Sequence, residues 1–285
     1  MLVKSFRLLS RLPLPVLHGL GVFLGWLVYL VSPSYRKRLQ DNIGAAGYAP
    51  FRNAAIAESG KSILELPFVW CAPPERVLPT AVVEDWEPAQ AALDAGRGVI
   101  FLTPHIGCFK IIAQKVAVEY PVTALYRPPR KAALKPLMEQ ARARHNLALA
   151  PANLAGVRIL LKALKRGEVV GLLPDQVPGN GEGVWADFFG KPAYTMTLPA
   201  KLQQMSGAPV ILAFAERLPR GRGFVIRFAR METKWGETAE QQARAINIAM
   251  EKLIARCPAQ YFWSYARYKT PPGVSAAPSY SDAAK

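Results

Sequence analysis

Acidic side chains are scarce in this sequence. Twenty Asp and Glu stand against 36 Lys and Arg, which leaves a formal net charge of +16. That balance excludes an acidic, self-solvating chain. It favours a polyanionic partner: nucleic acid, an anionic membrane surface or a phosphorylated substrate. Cysteine is scarcer still. Cys71, Cys108 and Cys257 are far apart and show no C-x-x-C spacing, so neither a disulfide framework nor a zinc site is expected. A reducing compartment fits this usage. The dinucleotide loop G-x-G-x-x-G, the Walker A loop and the G-x-S-x-G elbow are all missing. No internal repeat is visible.

Apolar residues, by contrast, are plentiful. They make up 51% of 285 residues, more than suits an ordinary soluble domain and less than suits a multi-span protein. The densest run is Leu12 to Val31, which contains no Asp, Glu, Lys or Arg. About 18 to 20 such residues suffice to cross a bilayer as a helix. Trp26 and Tyr29 lie toward one end, where amphipathic rings favour the interface. Lys4, Arg7 and Arg11 precede the run, and Arg36, Lys37 and Arg38 follow it. A cleaved signal peptide fits poorly, because the run meets SPSYRKR and not a small-residue cleavage site. A spanning helix, a helix lying in the bilayer and a buried core helix stay open. Pro13, Pro15 and His18 weaken the span; His18 itself suits an interfacial or packed position. The expected division is a membrane anchor over 1–35, a catalytic domain over 36–270 and a flexible Pro/Ala/Ser-rich tail over 271–285.

Beyond the anchor the pattern predicts an α/β fold, with a mainly parallel sheet flanked by helices. Residues 51–70 suggest one amphipathic helix. GVIFLT (98–103), residues 122–126 and EVVGLL (168–173) suggest buried strands. Helices are expected over 109–119, 131–145, 154–165, 195–206 and 238–256. Residues 175–193 suggest a long Gly-rich loop, and 209–216 with 224–228 a hairpin around PRGRG. Repeated alternation of strand and helix is what argues for the parallel sheet. Ligands of such sheets bind beyond the carboxyl ends of the strands. His105, Arg127 and Asp175 each fall just past one of those ends.

His105 sits in TPHIGCFK (103–110), where Gly107 permits a tight turn from strand to helix. A histidine there could remove the proton from an alcohol, which is a poor nucleophile until that happens. It could equally be a structural cap of the turn.

The surrounding residues resemble a known family. TPHIGCF looks like the H-x4-D/E block of glycerolipid acyltransferases, most closely the branch that adds late, secondary acyl chains to lipid A. TALYRPPR (123–130), LLPDQ (172–176), FFGKPAYT with KLQQMSGAPV (188–195 and 201–210) and PAQYFWSYARYK (258–269) look like four further blocks of that branch, in its order. The resemblance implies acyl transfer from acyl carrier protein, or occasionally acyl-CoA, to a hydroxyl of a lipid A precursor. No metal or bound cofactor is implied. It places the catalytic domain on the cytoplasmic face of the bacterial inner membrane. His105 would be the base. Arg127 would hold acceptor phosphate, Asp175 and Gln176 would bind sugar hydroxyls or position His105, and Phe188, Phe189 and Gly190 would line an acyl slot. Arg267 would help close the site.

Position 110 departs from the pattern. The family carries an acidic residue there, and this chain carries Lys110. An ammonium cannot accept the imidazole N–H, and it disfavours the imidazolium. Loss of an orienting carboxylate from a serine-protease triad costs about 10⁴ in turnover, or about 5.5 kcal/mol. Three accounts follow: an introduced inactivating change, a natural member that is slow or has become a lipid binder, or support of His105 by another carboxylate, Asp175 or Glu119. A different lipid acceptor is a further alternative. Nucleic acid is not expected, since no basic stripe with stacking aromatics is present.

Overall fold

The computed structural model describes residues 2–127, 146–179 and 181–278. The basic helix expected over 131–145 lies outside them.

Among the described residues, seven strands form one sheet: β1 (Ala81–Glu84), β2 (Val99–Leu102), β3 (Val122–Tyr126), β4 (Leu147–Pro151), β5 (Val169–Leu172), β8 (Val210–Arg217) and β9 (Phe224–Arg230), in the order β1-β9-β8-β2-β5-β3-β4. Every neighbouring pair is parallel except β8 and β9, which form the expected antiparallel hairpin. The continuous apolar run of β2 is explained by burial on both faces. Ile100 and Leu102 enter one core cluster, Val99 and Phe101 the other, as successive side chains on a strand must.

The flanking helices are α1 (Leu2–Leu9), α2 (Leu14–Val31), α3 (Pro33–Ala45), α4 (Arg52–Leu64), α5 (Leu66–Cys71), α6 (Pro74–Val77), α7 (Glu87–Asp94), α8 (Phe109–Val116), α9 (Leu154–Lys165), α10 (Leu198–Ser206) and α11 (Ala239–Arg256). One sheet face is covered by α9 and α11, through Leu160 and Leu164 and through Ile246, Met250 and Leu253. The other is covered by α8, through Ile111, Ile112 and Val116. A capping box starts α11: Thr238 accepts from the Gln241 N–H, and the Gln241 side chain returns the bond.

Two expectations change. The single helix over 51–70 is two helices, α4 and α5, broken at Glu65 ahead of Pro67. Pro67 has no N–H to give to the carbonyl four residues back and is favoured in the first turn of a helix, so a new helix starts there. The loop over 175–193 contains strand β6 (Gly183–Phe188), which pairs antiparallel with β7 (Lys191–Met196). Phe189 and Gly190 join them with φ of +49° and +71°, the mirror-image turn that suits strand twist.

The apolar N-terminal helix α2 lies along α4. Gly21, Gly25 and Gly60 make the crossing close, because a Cβ on any of them would run into the opposing backbone. Small residues at such a crossing let two helix backbones touch. The buried side of α2 is Leu14, Leu17, His18, Gly21, Gly25 and Tyr29.

Candidate active site

Strands β2 and β5 pair in register with Val99 opposite Val169 and Leu102 opposite Leu172. The same register carries on past the strand ends and brings His105 opposite Asp175. The His105 backbone N–H donates to Asp175 Oδ2 at 2.8 Å, and His105 Nδ1 lies 2.8 Å from Asp175 Oδ1. An ionised carboxylate only accepts, so Nδ1 carries the proton and Nε2 keeps its lone pair. Nε2 is therefore the basic atom of the ring. The imidazole is 19% exposed while the Asp175 side chain is 2% exposed, which puts the ring at the surface and its partner beneath.

Burial alone would push the Asp175 carboxyl up. The positive charge His105 carries once protonated, its two hydrogen bonds and the Arg267 guanidinium outweigh that, and the group is held below the ordinary carboxylate range. Tyr261 adds a hydrogen bond from its hydroxyl to Asp175. Burial first, and then this carboxylate, push the Tyr261 phenol well up, so it stays a donor.

The His105 turn is held from behind. Gly107 has a φ of +54°, and a Cβ there would meet the Ala215 carbonyl of β8. Its N–H donates to the Gln260 carbonyl at 3.1 Å, Cys108 N–H donates to Ala215 O at 2.9 Å, and Phe262 N–H donates to His105 O at 3.1 Å. The Gln260 side chain accepts from the Arg217 N–H at 2.8 Å and donates to the Arg217 carbonyl at 2.9 Å. Gln260 thus brackets the His105 turn against the end of β8.

Lys110 is the second residue of α8. Its Nζ stands 3.8 Å from the centre of the Phe109 ring, and that ring meets the His105 ring edge-on at 4.7 Å. The Phe109 ring is thus in contact with both the Lys110 ammonium and the His105 imidazole. The carboxylate in contact with His105 is that of Asp175. Glu119, the other carboxylate considered, lies past the end of α8.

The remaining expected site residues are spread. Arg127 is exposed beyond β3, 3.5 Å from Glu182. Gln176 is half-buried beside Asp175. Phe188 is buried, packed against Phe189 and Tyr261. Phe189 sits in the β6–β7 turn with Gly190, donating its N–H to Glu251 at 2.8 Å. Arg267 is buried, and its guanidinium donates to Tyr194 O at 2.8 Å and Thr195 Oγ1 at 2.7 Å. It faces Asp175 from inside and braces the β7 strand.

Tyr261 and Gln260 were missed as individual site residues, although both lie within PAQYFWSYARYK. A second ionic cluster was missed altogether. Arg217 donates through Nε and Nη2 to both Glu65 oxygens at 2.7 Å, and through Nη1 to Glu58 at 2.6 Å. His18 Nε2 lies 3.3 Å from Glu65 Oε2. Glu65 and Arg217 are 1% and 3% exposed. Despite burial, the Arg217 charge and hydrogen bonds hold the Glu65 carboxyl down at about 2. Among the described residues, no group of His, Cys, Asp and Glu could hold a metal ion.

Comparison with known proteins agrees with this architecture. The family model for bacterial lipid A biosynthesis acyltransferases matches residues 2–270. A lipid A biosynthesis palmitoleoyltransferase of Escherichia coli (strain K12) is 29% identical over 276 residues, covering 92% of this chain and 88% of the relative. A lipid A biosynthesis lauroyltransferase of the same strain is 27% identical over 274 residues, covering 93% and 89%. With a family model spanning nearly its whole length, the chain belongs to the bacterial lipid A biosynthesis acyltransferase family.

Proposed function

We propose that this protein moves a fatty acyl chain from acyl carrier protein to a hydroxyl of a lipid A precursor, at the cytoplasmic face of the bacterial inner membrane, with His105 as base and Asp175 as its carboxylate. One observation carries the assignment of roles: the paired 2.8 Å contacts from His105 Nδ1 and the His105 N–H to the two Asp175 oxygens. Family membership supports the reaction class.

In the proposed reaction His105 Nε2 takes the proton of the acceptor hydroxyl. The oxygen attacks the thioester carbonyl and a tetrahedral oxyanion forms. Its collapse makes the ester and breaks the C–S bond, and the imidazolium returns its proton to the departing thiolate. Asp175 fixes the tautomer and stabilises the imidazolium. Arg127, exposed past β3, suits an acceptor phosphate. No metal or bound cofactor takes part, and acyl-CoA is an alternative donor.

Lys110 impairs this reaction without abolishing it. A cation on the aromatic ring that also touches His105 disfavours the imidazolium by about 1 kcal/mol, which slows turnover about fivefold. It removes no carboxylate from the base. The deciding assay incubates the purified chain with acyl carrier protein thioester and lipid A precursor, and follows the product by mass spectrometry. Acyl transfer is expected, with a loss of at least about a hundredfold in Asp175→Asn. No transfer by the unsubstituted chain, together with binding of the acceptor, would instead establish the lipid-binding alternative that Lys110 suggests. Transfer only to another lipid would reassign the acceptor.

A further inference from the structure

We propose that α2 attaches the protein to one leaflet by lying in the membrane plane, with its outer face in the lipid and both of its ends on the same side. This deepens the membrane reading above and rests on it.

By length and composition α2 qualifies as a span. Its surroundings say otherwise. A spanning helix has all its faces in lipid or against other spanning helices. Here one face is used along its length by the catalytic domain. His18, near its start, joins Glu65 and Arg217. Gly21 and Gly25 touch the α4 backbone. Tyr29, near its end, packs among Leu39, Ile43 and Ile56, and its hydroxyl accepts from Gln40 at 2.8 Å. Turning α2 upright across about 30 Å of hydrocarbon would carry α4, with Glu58 and Lys61, and the buried Arg217 cluster into the bilayer with it. Buried ionic groups tolerate that poorly.

The opposite face is apolar and open. Val16, Leu20, Phe23, Leu27, Leu30 and Val31 project from it, with Phe23, Leu30 and Val31 64–69% exposed. Their spacing follows one side of a helix. Basic residues border both ends: Lys4 and Arg7 on α1 and Arg11 after it, then Lys37 and Arg38 on α3, all exposed. Arg36 donates to the Tyr29 and Leu30 carbonyls at 3.3 and 3.1 Å and closes the α2 C-terminus. An apolar strip framed by cations complements one leaflet that carries anionic headgroups.

The test uses the full chain with Cys71→Ser and Cys257→Ser, added to preformed phosphatidylglycerol/phosphatidylcholine vesicles. Cys108 is buried and stays; this parent supplies the blank. Ser5→Cys and Ser34→Cys flank α2, and each is probed separately with a membrane-impermeant maleimide. Both are expected to react in intact vesicles as fully as after detergent. Protection of one end until detergent is added would overturn the in-plane geometry and leave membrane attachment standing. Failure of the unsubstituted chain to sediment with vesicles would overturn both. The double variant Phe23→Asp, Leu27→Asp is expected to lower vesicle partitioning at least about tenfold, with an unchanged thermal midpoint. Undiminished partitioning, or a dimer in solution that this variant splits, would assign the face to something other than lipid and overturn the proposal.

Discussion

Among the described residues there are two histidine–carboxylate pairs. His105–Asp175 closes at 2.8 Å and His18–Glu65 at 3.3 Å. Either, drawn alone, resembles half of a catalytic triad. Their surroundings separate them. Asp175 is buried beneath a partly exposed ring, and its negative charge is directed at that ring. Glu65 is spoken for by the bidentate Arg217 guanidinium, and His18 is only 5% exposed at the side chain. A base needs a carboxylate whose charge is left for the imidazolium and a second nitrogen within reach of substrate. The His18 pair has neither, and its role is to fasten α2 to the end of β8. The distinction between chemistry and structure thus lies in what else each carboxylate holds.

That contrast can be broken by exchange of losses. His105→Ala is expected to cut acyl transfer by about 10³–10⁴ with little change in thermal midpoint, while His18→Ala leaves turnover within about threefold. Comparable turnover losses in both would erase the functional difference. Glu65→Gln removes the bidentate carboxylate of the buried Arg217 and leaves it Glu58 alone; it is expected to cost about 3 kcal/mol of stability, read as a fall in thermal midpoint of roughly 10 °C. Asp175→Asn should lose activity first and stability second. A reversed ranking would show that the two pairs have been assigned the wrong way round.

Acid sharpens the comparison further. The Glu65 carboxyl is held at about 2 against 4.5 for the free side chain, a lowered value. The stability it contributes is fully present above pH 4.5 and drains away as pH falls toward 2. Circular dichroism against pH should show the acid transition in the unsubstituted chain, and a flatter dependence over that window in Glu65→Gln. The smallest expected effect belongs to Lys110→Glu, which removes a cation and adds an anion, a rise of about twenty-five-fold in turnover by the Coulomb estimate. A rise of about a thousandfold or more would mean that His105 lacks an effective carboxylate in the parent chain.

Much of this was legible in the residues, and the limits have physical causes. The buried strands β2 and β5 announce themselves as unbroken apolar runs, so the positions of His105 and Asp175 at strand ends follow from pattern alone. Their pairing does not, because strand order and register arise from the packed sheet. Lys110 departs from the family resemblance, and the carboxylate that contacts His105 belongs to Asp175, seventy residues away, one of the two alternatives the sequence offered. Strand β4 escaped notice because it is short and Ala-rich and ends at Pro151, all poor strand signals. The β6–β7 hairpin was hidden by Gly and Pro around it, although Phe189-Gly190 is a serviceable turn. The Arg217 cluster drew no attention because Glu58, Glu65 and Arg217 carry no spacing that links them before α2 and α4 pack.

The parallel ladder of β2 and β5 has one more consequence. Val99 to Val169 and His105 to Asp175 share a single offset, so the separation of base and carboxylate is measured in rungs and not in residues of intervening chain. Changes of length in the loops between the two strands would leave the spacing of this pair intact. A slip of either strand by one rung would turn one member to the far side of the sheet and part His105 from Asp175.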